Sequence, residues 1–284
     1  MFVLPPNIVL DDLIVNWLQE DIGRGDQTTM GLGAIAQHSR KAVWLTKAGG
    51  IVAGLPVAQR VFTLLDNTAQ LVPLVTDGTF CEPGTAIAEI KGPLAALLMG
   101  ERVALNLTMR LSGIATLTRQ YVDTIADMPA QLVDTRKTTP GLRSLEKYAT
   151  RIGGAINHRF GLDDGVMIKD NHIAAAGSIQ AAVNQIRQHI PYPLTIEVEA
   201  ESLEMVEAAL AAQVDIIMLD NMLPTQMRQA ISRIRQTYAH IKIEASGNIT
   251  LDTLRGVAET GVDYISTSAP ITRSPWLDLS MRIV

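Results

Sequence analysis

From residue 131 onward, short apolar runs alternate with amphipathic helical runs, and this pattern constrains the fold more than any other feature of the chain. The apolar runs are QLVD (131–134), VMIK (166–169), LTIEVE (194–199), DIIMLD (215–220), IKIEA (241–245) and DYIST (263–267). Helical spacing fills the gaps, most clearly in SIQAAVNQIRQHI and SLEMVEAALAAQ. Strands that are apolar throughout, separated by helices, predict a parallel sheet covered by helices and hence the α/β class. Two segments echo each other, AAQVDIIML at 211–219 and AETGVDYIS at 258–266. The echo predicts one βα turn used twice, not a duplicated domain.

The first third reads differently. Ile8, Leu10, Leu13, Ile14, Trp17 and Leu18 fall at helical spacing within 8–20. DIGRGDQTT reads as a loop, RKAVWLTKAGGIVAG as strand, Gly-Gly turn and strand, and GLPVAQRVFTLLD as a helix. Residues 70–92 alternate apolar runs with Asp-Gly and Pro-Gly pairs, which is hairpin chemistry. A long helical stretch follows from residue 93, with proline in its first turn and Gly113 as the expected break. Helices with a small antiparallel sheet are therefore expected here.

Composition excludes several classes. With 47% hydrophobic and 19% charged residues the chain has a real core and is not disordered. A net charge of −5 speaks against a nucleic-acid partner. One cysteine, Cys81, rules out an intrachain disulfide framework and is read as a packing residue. MFVLPPNIVLDDL lacks a basic region followed by an apolar run, and no uncharged stretch reaches bilayer length, so a cytoplasmic location is expected and no membrane association. GLGAIA at 31–36 lacks the third glycine of a dinucleotide loop and follows no good strand. A phosphate-binding GxxxxGK[ST] loop, HExxH and GxSxG do not occur.

The chemistry sits at the ends of the apolar runs. They lead into Thr135, Arg136 and Lys137, then Lys169, Glu199, Asp220, Ser246-Gly247-Asn248 and Ser268. In α/β barrels catalytic groups lie at the carboxyl ends of strands. One polar residue there means little, but six strands in succession exceed a surface effect. His158 and Arg159 lie in AINHRFG, a loop ahead of Lys169. Such a cation cluster in an acidic chain suits a ligand with several negative charges. Glu199 and Asp220 admit three roles: a metal pair, general acid and base, or acceptors for a sugar diol. Without histidines at metal spacing, a tight transition-metal site is not expected, whereas Mg²⁺ shared with substrate phosphates is.

Residues 134–173, DTRKTTPGLRSLEKYATRIGGAINHRFGLDDGVMIKDNHI, resemble the signature of the quinolinate phosphoribosyltransferases. GERVALNLTMRLSGIAT (100–116), EDIGRGDQTT, IEVEAESLEM, DIIMLDN, SGNIT and GVDYIS extend the likeness over nearly the whole chain. The resemblance implies an N-terminal α/β sandwich at 1–112, completed by 271–284, and an open, incomplete TIM-like barrel at 113–270. It implies a glycosyltransferase of the pentosyl class that joins quinolinate to the phosphoribosyl group of phosphoribosyl pyrophosphate, with decarboxylation, in NAD biosynthesis. Arg136, His158, Arg159 and Lys169, near Thr135, would hold the two carboxylates of quinolinate, with Arg102 reaching in from the neighbouring subunit of a homodimer or larger homo-oligomer. Lys137 would face the phosphates. Glu199 and Asp220 would hold the ribose hydroxyls or Mg²⁺, with no organic cofactor, and Lys137, Lys169, Glu199 and Asp220 would be the catalytic set. Ser246, Gly247 and Asn248, with Thr267, Ser268 and Ala269, would cradle the 5′-phosphate.

Two positions depart from the family pattern. Asp170 replaces a usual Glu, and Thr267-Ser268-Ala269-Pro270 replaces a glycine-containing run. A paralogue associated with molybdate transport resembles the same family but tends to lose the segment that stands here intact as Ile168-Lys169-Asp170-Asn171-His172. A non-catalytic nucleotide-binding protein on the same fold is the rival from another class, and it would not need both a dicarboxylate clamp and a diphosphate site.

Overall fold

A computed structural model of the chain describes residues 4–284. Residues 1–3, which open the stretch read for a leader, lie outside the described residues. The chain begins with α1 (Asn7–Ile22), α2 (Gln27–Gly31), β1 (Ser39–Thr46), β2 (Gly50–Ile51), α3 (Leu55–Leu65), β3 (Gln70–Pro73), β4 (Phe80–Cys81), β5 (Ala86–Pro93) and α4 (Leu94–Thr124). It continues through β6 (Gln131–Val133), α5 (Arg143–Gly153), β7 (Val166–Ile168), α6 (Asp170–Ala176), α7 (Ile179–Arg187), β8 (Ile196–Ala200) and α8 (Leu203–Ala211). Then come β9 (Ile216–Asp220), α9 (Pro224–Thr237), β10 (Lys242–Ser246), α10 (Leu251–Ala258), β11 (Tyr264–Ser266), α11 (Ala269–Thr272) and β12 (Leu279–Ile283). Two compact units result: residues to 119 with 139–154 and 273–284, and residues 120–138 with 155–272.

In the first unit an antiparallel sheet runs in the order β12-β1-β5-β3. Its packing centre includes Trp44 edge-on to Phe62, ring centroids 6.2 Å apart. Several sequence expectations are corrected here. The DIGRGDQTT loop is partly helical, because Asp26 Oδ1 accepts the Thr28 and Thr29 amides at 3.0 and 3.1 Å and so caps α2. GLGAIA belongs to α2 and a 3₁₀ turn. Ile8 is exposed, and α1 buries Leu10, Ile14 and Leu18 instead. β1 and β2 enter different sheets, since β2 pairs with β4 while β3 passes over both turns to pair with β5. The Asp-Gly turn serves a distant helix: Asp77 accepts the amides of Gly54 and Leu55 at 2.6 and 3.2 Å, satisfying donors at the start of α3. Gly113 does not break the long helix. α4 is continuous over 31 residues, and Gly113 leaves room for the Pro275 carbonyl, which would lie 1.9 Å from a Cβ there.

The second unit holds the six apolar runs as one parallel sheet, order β6-β11-β10-β9-β8-β7. Its edge strands β6 and β7 do not pair with each other; on the free side of β6, among the described residues, there is an isolated bridge, Val133 to Ile156. The result is an open, incomplete barrel. The repeated segment is an αβ turn, not a βα turn. In each copy an aspartate at the strand entrance accepts an amide of the neighbouring strand: Asp215 from Ile196 at 2.7 Å, Asp263 from Ile243 at 2.8 Å. Such a bond sets the strand register. Among the described residues no helix is long and apolar enough to cross a membrane.

Candidate active site

Side chains alternate along a strand, so residues two apart share a face. Within the second unit this places Met167 and Lys169, Glu197 and Glu199, Met218 and Asp220, and Glu244 and Ser246 as same-face pairs on four neighbouring strands, with Met167 level with Glu197, Glu199 with Met218, and Asp220 with Ser246. The upper members meet at the carboxyl ends of the strands. There a cavity of about 390 Å³ is lined by Thr135, Arg136, Lys137, His158, Arg159, Met167, Lys169, Glu199, Met218, Asp220, Glu244, Ser246 and Ser266. Nine of the residues singled out from sequence are in that lining: Thr135, Arg136, Lys137, His158, Arg159, Lys169, Glu199, Asp220 and Ser246.

Local structure explains how they are held. Asp134, buried at the end of β6, accepts the Asn157 side-chain amide at 2.7 Å and the His158 backbone amide at 2.9 Å. It thereby pins the loop that carries His158 and Arg159. The Arg159 guanidinium donates to the Gly165 carbonyl at 2.7 Å. Burial and the nearby charge of Arg136 pull the Arg159 pKa down, while Glu197 and Glu199 oppose the shift. The Arg136 Nε is buried with no partner among the described residues. Lys169 is ion-paired with Glu199. Its backbone amide donates to His172 Nδ1 at 3.0 Å, which gives the Lys-Asp-Asn-His stretch a physical purpose: the histidine fixes the turn that aims the lysine. Thr135 Oγ1 likewise accepts the Lys137 amide at 3.0 Å.

Two family domains match the chain that carries this site. The domain described as Quinolinate phosphoribosyl transferase, N-terminal domain, matches residues 26–112, and its C-terminal counterpart matches residues 114–282. The chain belongs to the quinolinate phosphoribosyltransferase family. It is 60% identical to a protein of Synechocystis named probable nicotinate-nucleotide pyrophosphorylase [carboxylating], over 100% of this chain and 96% of the relative. A Bacillus subtilis protein of the same name is 47% identical over 98% of this chain and 94% of its own. The solved structure titled NadC from Streptococcus pyogenes superposes with a TM-score of 0.93 at 42% identity, covering 99% of both chains.

Other residues that the quinolinate phosphoribosyltransferase pattern marks lie elsewhere. Gly247 and Asn248 follow Ser246 with φ of 98° and 53°. A Cβ on Gly247 would lie 2.2 Å from Asn221 Oδ1, so only glycine fits that turn. The Thr267 amide donates to the Val133 carbonyl at 3.1 Å, and the Ala269 amide to Thr267 Oγ1 at 3.2 Å. The backbone amides of two of the residues expected at the phosphate are thus engaged within the protein. Arg102, on α4, lines a separate cavity of about 530 Å³ in the first unit, with Trp17, Asn106, Arg110 and Trp276.

Sequence reasoning missed Glu197 and Glu244, both about 4% exposed. The available signal was an acid inside an otherwise apolar strand, two places before a site residue and so on the same face. Burial and then the charge of Glu197 push the Glu244 pKa up to about 7.

Proposed function

We propose that the chain transfers the phosphoribosyl group of phosphoribosyl pyrophosphate to the ring nitrogen of quinolinate, releasing carbon dioxide and pyrophosphate and giving nicotinate mononucleotide, a step of NAD biosynthesis. The observation that carries this reading is the gathering of Arg136, Lys137, Arg159 and Lys169 with Glu199 and Asp220 around one cavity, in a chain of this family. Arg136, Arg159 and Lys169 hold the two carboxylates. Lys137 faces the diphosphate, and Ser246, Gly247 and Asn248 turn about the 5′-phosphate. Arg102 enters the cavity of a neighbouring copy, so a two-fold dimer is the smallest complete unit. A cytoplasmic setting fits the single buried thiol of Cys81.

Glu199 and Asp220 fit Mg²⁺ held partly by its own waters and by substrate oxygens, since they supply oxygen donors only and form no closed cage. When bound, Mg²⁺ neutralises charge on the departing diphosphate.

The protein's own groups then do positioning and charge stabilisation. The ring nitrogen's electron pair forms the bond to C1 of the ribose as the C1–oxygen bond to pyrophosphate breaks. Glu199 and Asp220 favour the positive charge that develops at C1. The alkylated nitrogen is cationic, so the bond to the adjacent carboxylate breaks with its electron pair left on the ring carbon. Arg136 and Arg159 stabilise that carbon, and Lys169 Nζ delivers the proton to it. His158 is not placed to do so, because its Nε2 is turned toward Glu197 and Glu244.

Purified protein mixed with quinolinate, phosphoribosyl pyrophosphate and Mg²⁺ is expected to form nicotinate mononucleotide, with one carbon dioxide per pyrophosphate. Affinity for both substrates without turnover would overturn the assignment. Carbon dioxide release at a comparable rate without phosphoribosyl pyrophosphate would overturn the order of steps.

A further inference from the structure

Below the catalytic cavity, toward the amino ends of the strands, the open barrel holds a second cavity of about 410 Å³. It shares His158, Arg159 and Glu244 with the first and adds Glu197. His158 Nε2 lies 3.2 Å from Glu197 Oε2 and 3.7 Å from Glu244 Oε2. On the other side of the ring, the Arg159 backbone amide donates to Nδ1 at 2.7 Å. An amide donated to Nδ1 leaves the ring proton on Nε2, where it meets the carboxylates. The three side chains are close enough together for a divalent ion. That ion would need the Nε2 lone pair, however, and the Arg159 amide keeps the proton there.

We infer that Glu197 is a positioning residue: acting through His158, it holds Arg159 in place for the dicarboxylate substrate without touching that substrate itself. The chain of contacts is short and continuous. Glu197 Oε2 faces the imidazole Nε2 at 3.2 Å, the imidazole Nδ1 accepts from the Arg159 amide, and Arg159 lines the cavity above. Glu197 also acts on Arg159 by charge, offsetting the repulsion of Arg136. Its Oε1 is buried without a partner, as is that of Glu244. A buried carboxylate such as Glu197 kept in this state is costly unless the cations and the imidazole above depend on it.

The inference rests on the proposed reaction, and its test separates the two. Glu197→Gln, His158→Ala, His158→Gln and the double variant Glu197→Gln/His158→Ala are compared by steady-state kinetics and thermal unfolding. Loss of the Glu197 charge beside the imidazole and Arg159 should raise the KM for quinolinate about tenfold to a hundredfold in Glu197→Gln. The KM for phosphoribosyl pyrophosphate should stay within about twofold, since the diphosphate side is not involved. The double variant should be no worse than His158→Ala, because the two act in series. His158→Gln, which keeps an N–H toward Glu197, should recover part of the loss. An unchanged quinolinate KM in Glu197→Gln, equal rises in both KM values, or additive losses in the double variant would overturn the inference while leaving the proposed reaction standing. Absence of turnover in the unaltered protein would instead remove the reaction.

Discussion

Replacing Gly113 by alanine separates two accounts of the long helix with opposite signs. On propensity alone, Gly→Ala inside a helix stabilises by about 1 kcal/mol. In the structure the new Cβ would lie 1.9 Å from the Pro275 carbonyl oxygen, 3.0 Å from its carbon and 3.2 Å from the Trp276 Cα. These are backbone atoms that no rotamer change can move aside, so the 275–276 segment must retreat by roughly 1.5 Å to restore contact distance. That segment is tied down: the Leu277 amide donates to the Met109 carbonyl at 3.0 Å, and β12 is paired along β1 from Leu279. Overpacking of this kind costs about 1–3 kcal/mol, and weakening the Leu277 bond adds about 1 kcal/mol. Set against the helix gain, the net expectation is a loss of about 1–3 kcal/mol and a fall of several degrees in Tm. Urea unfolding of the purified variant, followed by far-UV circular dichroism, measures it. A Gly113→Ala protein as stable as the parent, or more so, would refute the packing argument and restore Gly113 as a mere weak point in the helix.

Other outcomes follow from the site. Mixing Arg102→Ala with Lys137→Ala should restore part of the activity through hybrid dimers; no recovery after confirmed subunit exchange would argue against a shared site. Nicotinate should be a very poor substrate, because a clamp for two carboxylates leaves a half-buried cation unpaired when one is missing; equal use of nicotinate and quinolinate in a competition assay would contradict the clamp. Glu244 has a raised pKa, about 7, so the folded state holds a proton that the unfolded state releases near its ordinary value of 4.5. Its contribution to stability is therefore present below about 4.5 and is lost as pH rises toward about 7. Glu244→Gln should flatten this part of the stability profile, as measured by urea midpoints across the window, and an unaltered slope would count against the shift.

The six strands of the second unit were legible because each is a short apolar run ending in a polar residue, and that pattern depends only on local chemistry. Arg136, Lys137, Lys169, Glu199 and Asp220 were legible for the same reason: strand ends mark one edge of a parallel sheet, so residues far apart in the chain were already assigned to one place, whereas His158 and Arg159 stood out only as cations in a loop. Glu197 and Glu244 were not, because an acid within a strand acquires meaning only when sheet order brings two of them and His158 together in the barrel interior. The role of Gly113 was invisible as well, since it depends on a carbonyl 162 positions along the chain arriving at the helix surface. Pairing of β2 with β4 instead of β1 likewise depended on which strands found partners across the sheet. Periodicity, turn residues and strand-end chemistry are local, so the sequence alone determined the class and the upper layer of the site. Close backbone approach, the partners of buried charge and the sorting of strands between sheets are properties of distant segments in contact, and only the tertiary structure decided them.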